Sequence, residues 1–249
     1  MTKTERHAVG HEEYIPNPEV QKKLAQTVLV QLIGPTAVGK STLIDLIVSR
    51  NDSHFSEVGT LTTRPKRETD SPWVTADISH EEMKNKIDNH ELVQYFRHPS
   101  GEMYATDTSS YRTDVCLLPT MAKSADEFLD KGFKKVVRVG IVVNQKQWQE
   151  RLHSRENDND FAARMQEALQ CLEWMSRYRR RAKYLQTPPP SLFFIENNND
   201  SLESATQKII DIIENPTDTA LQLPRMRFNS CYLEMYAIAR RYSPEKKAA

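Results

Sequence analysis

Glycine is scarce in this chain, with seven residues among 249. With no low-complexity stretch either, a flexible-linker architecture is excluded. The length suits one large α/β domain, or a domain with appended pieces. Cysteine is scarcer: Cys116, Cys171 and Cys231 lie far apart, are odd in number and form no C-x-x-C pair. That excludes a disulfide framework and reads as idle or buried thiols in a reducing cytoplasm. No apolar run is long enough to span a bilayer, and Met1 to Gly10 is polar, with no signal-peptide core. Neither sign of charge is in excess, since 34 Lys and Arg face 34 Asp and Glu. No global field therefore argues for nucleic acid or a membrane as partner. The seven histidines show no metal-ligand spacing, and no Ser/His/Asp arrangement is legible.

What is present is one strong motif. Val28 to Ile33 is an apolar run, Gly34-Pro35-Thr36-Ala37-Val38-Gly39-Lys40-Ser41-Thr42 follows, and Leu43 to Ile47 reads as a helix. The middle piece satisfies G-x-x-x-x-G-K-[ST] in a strand–loop–helix setting. Gly34 and Gly39 permit unusual backbone angles, so backbone N–H groups can turn inward and, with the positive helix end, make an anion site. Lys40 supplies a mobile charge for β- and γ-phosphates, and Ser41 a hydroxyl for Mg²⁺. The motif thus calls for a nucleotide such as ATP. The alternative is a glycine-bearing turn with an incidental lysine.

Strand and helix signals alternate through the rest of the chain, which predicts a parallel sheet with helices on both faces. Further strands are expected at 57–62, 114–119, 135–143 and 192–195, and a hairpin-like insert at 92–97 and 103–106. Helices are expected at 79–89, where Ser79-His80-Glu81-Glu82 is a capping box, and at 122–131, 146–153, 161–185, 201–214 and 229–241. The stripe Phe161, Met165, Leu169, Leu172, Met175 has core spacing.

Ligands of open α/β sheets bind at strand carboxyl ends. Arg64 and Arg67 follow the strand at 57–62, and paired guanidiniums there suit a phosphate or, equally, a solvated basic turn. Arg151 and Arg155 share a helix face, and Arg164 opens the next helix across a polar loop. This suits a closing lid that brings charge to a transferring phosphoryl group, or simply exposed arginines paired with acids. The basic run from Arg177 to Lys183 could track a nucleic-acid backbone, but such a run is more often a solvated helix face.

The order of these pieces resembles the guanylate kinase family over roughly residues 27 to 214. The matching segments are the phosphate loop, Thr62-Thr63-Arg64-Pro65-Lys66-Arg67, the capped helix, Glu91-Leu92-Val93-Gln94-Tyr95 with Tyr104, Arg151-Leu152-x-x-Arg155 with Arg164, and Asn199-Asp200-Ser201-Leu202. The resemblance implies a P-loop α/β kinase domain at 27–214, with an acceptor-binding insert near 62–108 and a helical lid near 146–166. A polar extension at 1–26 would precede it and a helical one at 215–249 would follow. It also implies roles. Gly34, Ala37, Val38, Gly39, Lys40, Ser41 and Thr42 would hold the ATP phosphates, with Asn199 near the adenine and Ser41 on the metal. Thr60, Arg64, Arg67 and Tyr104 would hold the acceptor's phosphate. Lys40, Arg151, Arg155 and Arg164 would act on the transferring group.

Departures fall on the base-reading side. The family's hairpin glutamate aligns with Gln94. The strand that usually ends in Asp-x-Asp ends here in Leu117-Leu118-Pro119-Thr120, which leaves Thr120 as the acceptor-side group. Trp73, Val74 and Thr75 stand where a tyrosine is usual. A carboxylate accepts from guanine's N1–H and N2–H₂ better than an amide does. The expectation is therefore an ATP- and Mg²⁺-dependent kinase of a phosphorylated acceptor, GMP or dGMP first, with weak guanine discrimination unless another carboxylate such as Glu102 or Asp107 substitutes. A kinase for ribose 1,5-bisphosphate or another nucleoside monophosphate is one alternative. A non-catalytic guanylate-kinase-like binding module is another, disfavoured by the intact loop. A tRNA prenyltransferase, whose loop also begins Gly-Pro-Thr-Ala, fits the arginines poorly.

Overall fold

Val28–Ile33 (β1) is the central strand of a five-stranded sheet, and its last five residues are fully or almost fully buried. Burial on both faces is the mark of a parallel sheet covered by helices on each side. In the computed structural model, which describes residues 14–68, 70–97, 101–153, 161–182 and 192–243, two units are distinguished.

The larger unit takes in 28–57, 113–126 and the described residues from 135 on. Its sheet adds β2 (Phe55–Glu57), β7 (Val115–Thr120), β8 (Lys135–Val142) and β9 (Leu192–Glu196), in the order β2-β7-β1-β8-β9, and every pairing is parallel. Its helices are α2 (Lys40–Arg50), α4 (Gln145–His153), α5 (Phe161–Ala182), α6 (Leu202–Glu214) and α7 (Arg225–Tyr242). Helix α2 packs with α6, and α7 packs with α4 and α5. The core stripe of α5 is as expected: Phe161, Met165, Leu169, Leu172 and Met175 are all buried.

Among the described residues, the smaller unit takes in 14–27, 58–112 and 127–134. It holds α1 (Pro18–Leu24), α3 (His80–Asp88) and a second sheet of β3 (Thr60–Thr62), β4 (Val74–Thr75), β5 (Leu92–Arg97) and β6 (Met103–Asp107), ordered β4-β3-β6-β5. Strands β5 and β6 pair antiparallel, as the hairpin pattern predicts. Ser79 caps α3, its hydroxyl accepting from the Glu82 N–H at 3.0 Å. Leu61, Met103 and Ala105 join Ile78, Met83 and Leu92 in a small apolar core.

Three expectations change. The single strand expected at 57–62 is two, β2 in one sheet and β3 in the other. At the break, Gly59 N–H donates to Ser110 O and Thr60 N–H to Trp73 O, so the chain takes new partners. The helix expected at 122–131 is a 3-10 segment, Ala122–Phe128, followed by Gly132 at φ +96°. The last helix begins earlier than its apolar pattern, at Arg225, with Pro224 as its N-cap. The 161–185 helix is described to Ala182; Lys183 to Leu185 lie outside the described residues.

Candidate active site

In the larger unit the loop between β1 and α2 carries two residues in the left-handed region, Ala37 (φ 63°) and Gly39 (φ 87°). Such alternation turns successive N–H groups to one side and forms an anion-binding concavity. Glycine is required at 34 and 39 for space as well. A Cβ on Gly34 would meet Ile141 O at 2.8 Å, and one on Gly39 would meet Asn197 Nδ2 at 2.6 Å. Lys40 donates through Nζ to Gly34 O (2.7 Å) and Pro35 O (2.9 Å), so its ammonium is held over the loop. Ser41 and Thr42 are exposed in the first turn of α2, where backbone N–H groups have no helical partner.

Two buried side chains brace this loop. Trp148, fully buried in α4, donates from Nε1 to Thr36 O at 2.9 Å. Asn197, just past β9, donates from Nδ2 to Val38 O at 2.8 Å. Asn197 Oδ1 is buried and makes no hydrogen bond among the described residues. Arg151 lies beside the loop, its Nη1 3.6 Å from where a Gly39 Cβ would stand. Its Nη2 donates to Asn199 Oδ1 (2.7 Å), Asn197 O (3.0 Å) and Gln147 Oε1 (3.4 Å). Burial lowers the Arg151 pKa from its usual value, yet a guanidinium starts so high that it stays a cation. The structure thus brings Lys40 and Arg151 to one loop, with Asn199 bonded to Arg151. Arg164 is half-buried in the first turn of α5, and Arg155 lies outside the described residues. Thr120, at the end of β7, is buried, and its hydroxyl donates to Leu118 O.

In the smaller unit, register sorts the second sheet into two faces. Tyr104 lies opposite Thr62 and Phe96, and Thr106 opposite Gln94, so these five share a face. Arg64 lies two residues past the end of β3. Its fork donates to both Asp70 oxygens, Nη1 to Oδ2 at 2.9 Å and Nη2 to Oδ1 at 2.5 Å. Asp70 Oδ2 also accepts from the Arg67 N–H at 2.8 Å. This bidentate geometry is the one a guanidinium uses for phosphate. The Arg64 hydrogen bonds, with the Arg67 N–H, hold the Asp70 carboxyl at about 2, well below its ordinary 3.8. Asp70 in turn raises the Arg64 pKa, with Tyr104 also within hydrogen-bonding reach of the guanidinium. Tyr104 stacks on Phe96 with centroids 5.1 Å apart. Arg67 is exposed, and Thr60 is half-buried in β3. Gln94 is buried, and its Nε2 donates to Tyr95 O (2.9 Å) and Glu127 Oε2 (2.8 Å).

The guanylate kinase family model matches residues 26–215, most of the chain. The chain belongs to the guanylate kinase family. Among solved structures, the guanylate kinase from Anaplasma phagocytophilum is similar at 14% identity and a TM-score of 0.49, covering 81% of this chain and 92% of that one. Comparison with curated proteins gives no match. The family membership and the α/β fold support a nucleotide kinase-like function.

Four side chains that the structure brings to these sites carry no signal in the sequence. Trp148 and Gln147 are unmarked within a polar helical stretch, and Asn197 sits in a run of three asparagines from which Asn199 alone was singled out. Glu127 is 33 residues from Gln94, and no local pattern links them. Asp107 caps the turn Thr108–Ser110 and pairs with Lys86, so its carboxylate is engaged in the fold. The basic run is in part packing: Arg179 lies over the rings of Phe194 and Phe228 and donates to Leu223 O.

Proposed function

We propose that this protein transfers the γ-phosphoryl group of ATP to a small phosphorylated acceptor, in a guanylate kinase-like reaction on GMP or dGMP. The observation that carries the reading is the loop itself: left-handed Ala37 and Gly39, the Lys40 ammonium held above it, and Arg151 against Gly39. These groups suit the β- and γ-phosphates, where charge spreads in the transition state and catalysis is positioning plus electrostatics. Arg64, with Thr60, Arg67 and Tyr104, would grip the acceptor's own phosphate, and Asp70 would yield that fork or share it. Arg155 and Arg164 would act with Arg151 as lid arginines. Asn199 would lie near the adenine.

Mg²⁺ fits as an ion carried in by the nucleotide. Among the described residues no group of three His, Cys, Asp or Glu side chains could hold a metal, while the exposed Ser41 hydroxyl offers one hard oxygen beside the phosphates. Ser41 would help hold the ion, which would supply positive charge to offset the charge on the phosphate oxygens. Three free, buried cysteines suit a reducing cytoplasm. A kinase for another phosphorylated acceptor, such as ribose 1,5-bisphosphate, is the second reading, favoured by the absence of a carboxylate at the end of β7.

The test is a panel of phosphorylated acceptors with ATP and Mg²⁺, reading ADP. At least one acceptor should raise ADP above the background, and Lys40→Ala should cut that turnover about 10²–10³-fold with its fold intact. Equal ADP from mutant and parent, or no acceptor-dependent ADP at all, sinks the kinase reading.

A further inference from the structure

Resting on the reading of the smaller unit as the acceptor half, we infer that Glu127 is a specificity-determining positioning residue. It holds the Gln94 amide by its nitrogen, so the pair offers an acceptor-only edge to a base that presents ring and exocyclic N–H donors.

The amide of Gln94 has two N–H donors and one carbonyl acceptor. Its Nε2 faces Tyr95 O at 2.9 Å and Glu127 Oε2 at 2.8 Å. Both are acceptors with no proton to give, so the reverse orientation would set the amide oxygen against a carbonyl and a carboxylate. The orientation is therefore dictated by chemistry. With both N–H groups committed, Gln94 can address a ligand through Oε1 alone, and that oxygen makes no hydrogen bond with any described residue. A glutamine free to turn would serve donors and acceptors alike. This one cannot turn without breaking a charge-assisted bond in a site where its own side chain is buried.

Placement agrees. Gln94 shares its sheet face with Thr106, Phe96 and Tyr104, and Tyr104 reaches the Arg64 guanidinium. A nucleoside monophosphate with its phosphate at Arg64 would thus carry its base along a face that already has an aromatic pair, Phe96 and Tyr104, and then Gln94. Glu127 is an exposed residue whose carboxylate places a negative charge beside the Gln94 amide. Guanine (N1–H and N2–H₂) or hypoxanthine (N1–H) suits such an edge. Adenine, whose N1 is an acceptor, meets Oε1 with like polarity. The weak guanine discrimination expected from replacing a carboxylate by Gln94 is thereby reversed: the missing charge comes from a distant part of the chain.

Equilibrium binding to the full chain, measured without ATP, separates this inference from the kinase reading. GMP and IMP should bind the parent more tightly than AMP. Glu127→Ala frees the amide to turn and should lose roughly 10- to 100-fold of the GMP preference, the value of one hydrogen bond to a charged group. Affinity for inorganic phosphate should stay as in the parent, and affinity for AMP should hold or rise, because the freed amide can donate an N–H to adenine N1. Glu127→Gln can still accept from Gln94 Nε2 and should keep most of the preference, which a general loss of structure would not allow. A parent that binds GMP and AMP alike, a Glu127→Ala variant that retains the GMP preference, or one that loses GMP, AMP and phosphate together overturns the inference. Selective GMP binding with no ADP formed would uphold it while removing the kinase reading.

Discussion

At the scale of single residues, the ion pair of Arg64 with Asp70 has a defined pH range. The Asp70 carboxyl is held at about 2, against an ordinary 3.8, chiefly by the Arg64 hydrogen bonds. A carboxylate whose folded pKa is depressed stabilises the fold above its unfolded value and loses that contribution as pH falls through the folded one. The pair should therefore be unaffected between pH 5 and 8 and dissolve only as pH drops from about 4 towards 2. The ¹³C carboxyl resonance of Asp70 checks this; a midpoint at the ordinary value would show that the clamp is not formed. Gln31 presents the opposite case. It is fully buried in the middle of β1, and neither amide atom makes a hydrogen bond among the described residues. A buried unsatisfied polar group costs about 1–3 kcal/mol, so Gln31→Met should raise Tm by a few degrees and leave nucleotide binding unchanged. A lower Tm would mean that the amide has a partner, such as ordered water. The thiols need no such test of partners: burial pushes Cys171 and Cys231 up to about 12, so both should resist alkylation at neutral pH in the folded chain.

At the scale of elements, the phosphate loop is set by its supports as much as by its own glycines. Trp148 and Asn197 hold the carbonyls of Thr36 and Val38 from α4 and the end of β9. Trp148→Phe keeps most of the buried ring but removes one donor from Thr36 O, a loss of about 0.5–1.5 kcal/mol. It should weaken ATP binding and lower Tm while acceptor binding holds; unchanged ATP affinity would show that the loop keeps its shape unaided. The sequence displayed the loop because its glycines, lysine and flanking apolar runs are local and periodic. It did not display the braces, because a hydrogen bond between positions 148 and 36 leaves no trace in either neighbourhood. The same limit explains the strand expected at 57–62. Its residues alternate as one strand does, and only the partners available to Gly59 and Thr60 divide it. Gln94 read as a lost carboxylate for the same reason, since Glu127 stands 33 residues away.

At the scale of the whole molecule, the residues proposed for the donor and for the acceptor fall into different compact units. Lys40, Arg151 and Asn199 belong to the larger one, and Thr60, Arg64, Arg67, Gln94 and Tyr104 to the smaller. Each unit has its own apolar core, about Val30, Leu32 and Val139 in one and Leu61, Met83 and Met103 in the other. Among the described residues no helix is long and apolar enough to cross a membrane. Separate cores mean that a side-chain change confined to one unit should leave the other's binding intact, because couplings fade between residues with no shared partners. Arg64 allows a direct test. Its fork is the group that suits the acceptor's phosphate, and a charge-assisted hydrogen bond is worth about 1.5–3 kcal/mol. Arg64→Ala should therefore raise the acceptor KM roughly 10- to 100-fold, or lower kcat by a similar factor, while ATP affinity stays within about twofold. Asp70 would lose the Arg64 fork in the same variant and keep only the Arg67 N–H, so an Arg64→Ala, Asp70→Ala double variant should separate the two effects. Restored stability with acceptor binding still lost assigns the defect to the missing guanidinium. A variant that loses ATP affinity and keeps its grip on the acceptor would place Arg64 on the wrong side of the reaction.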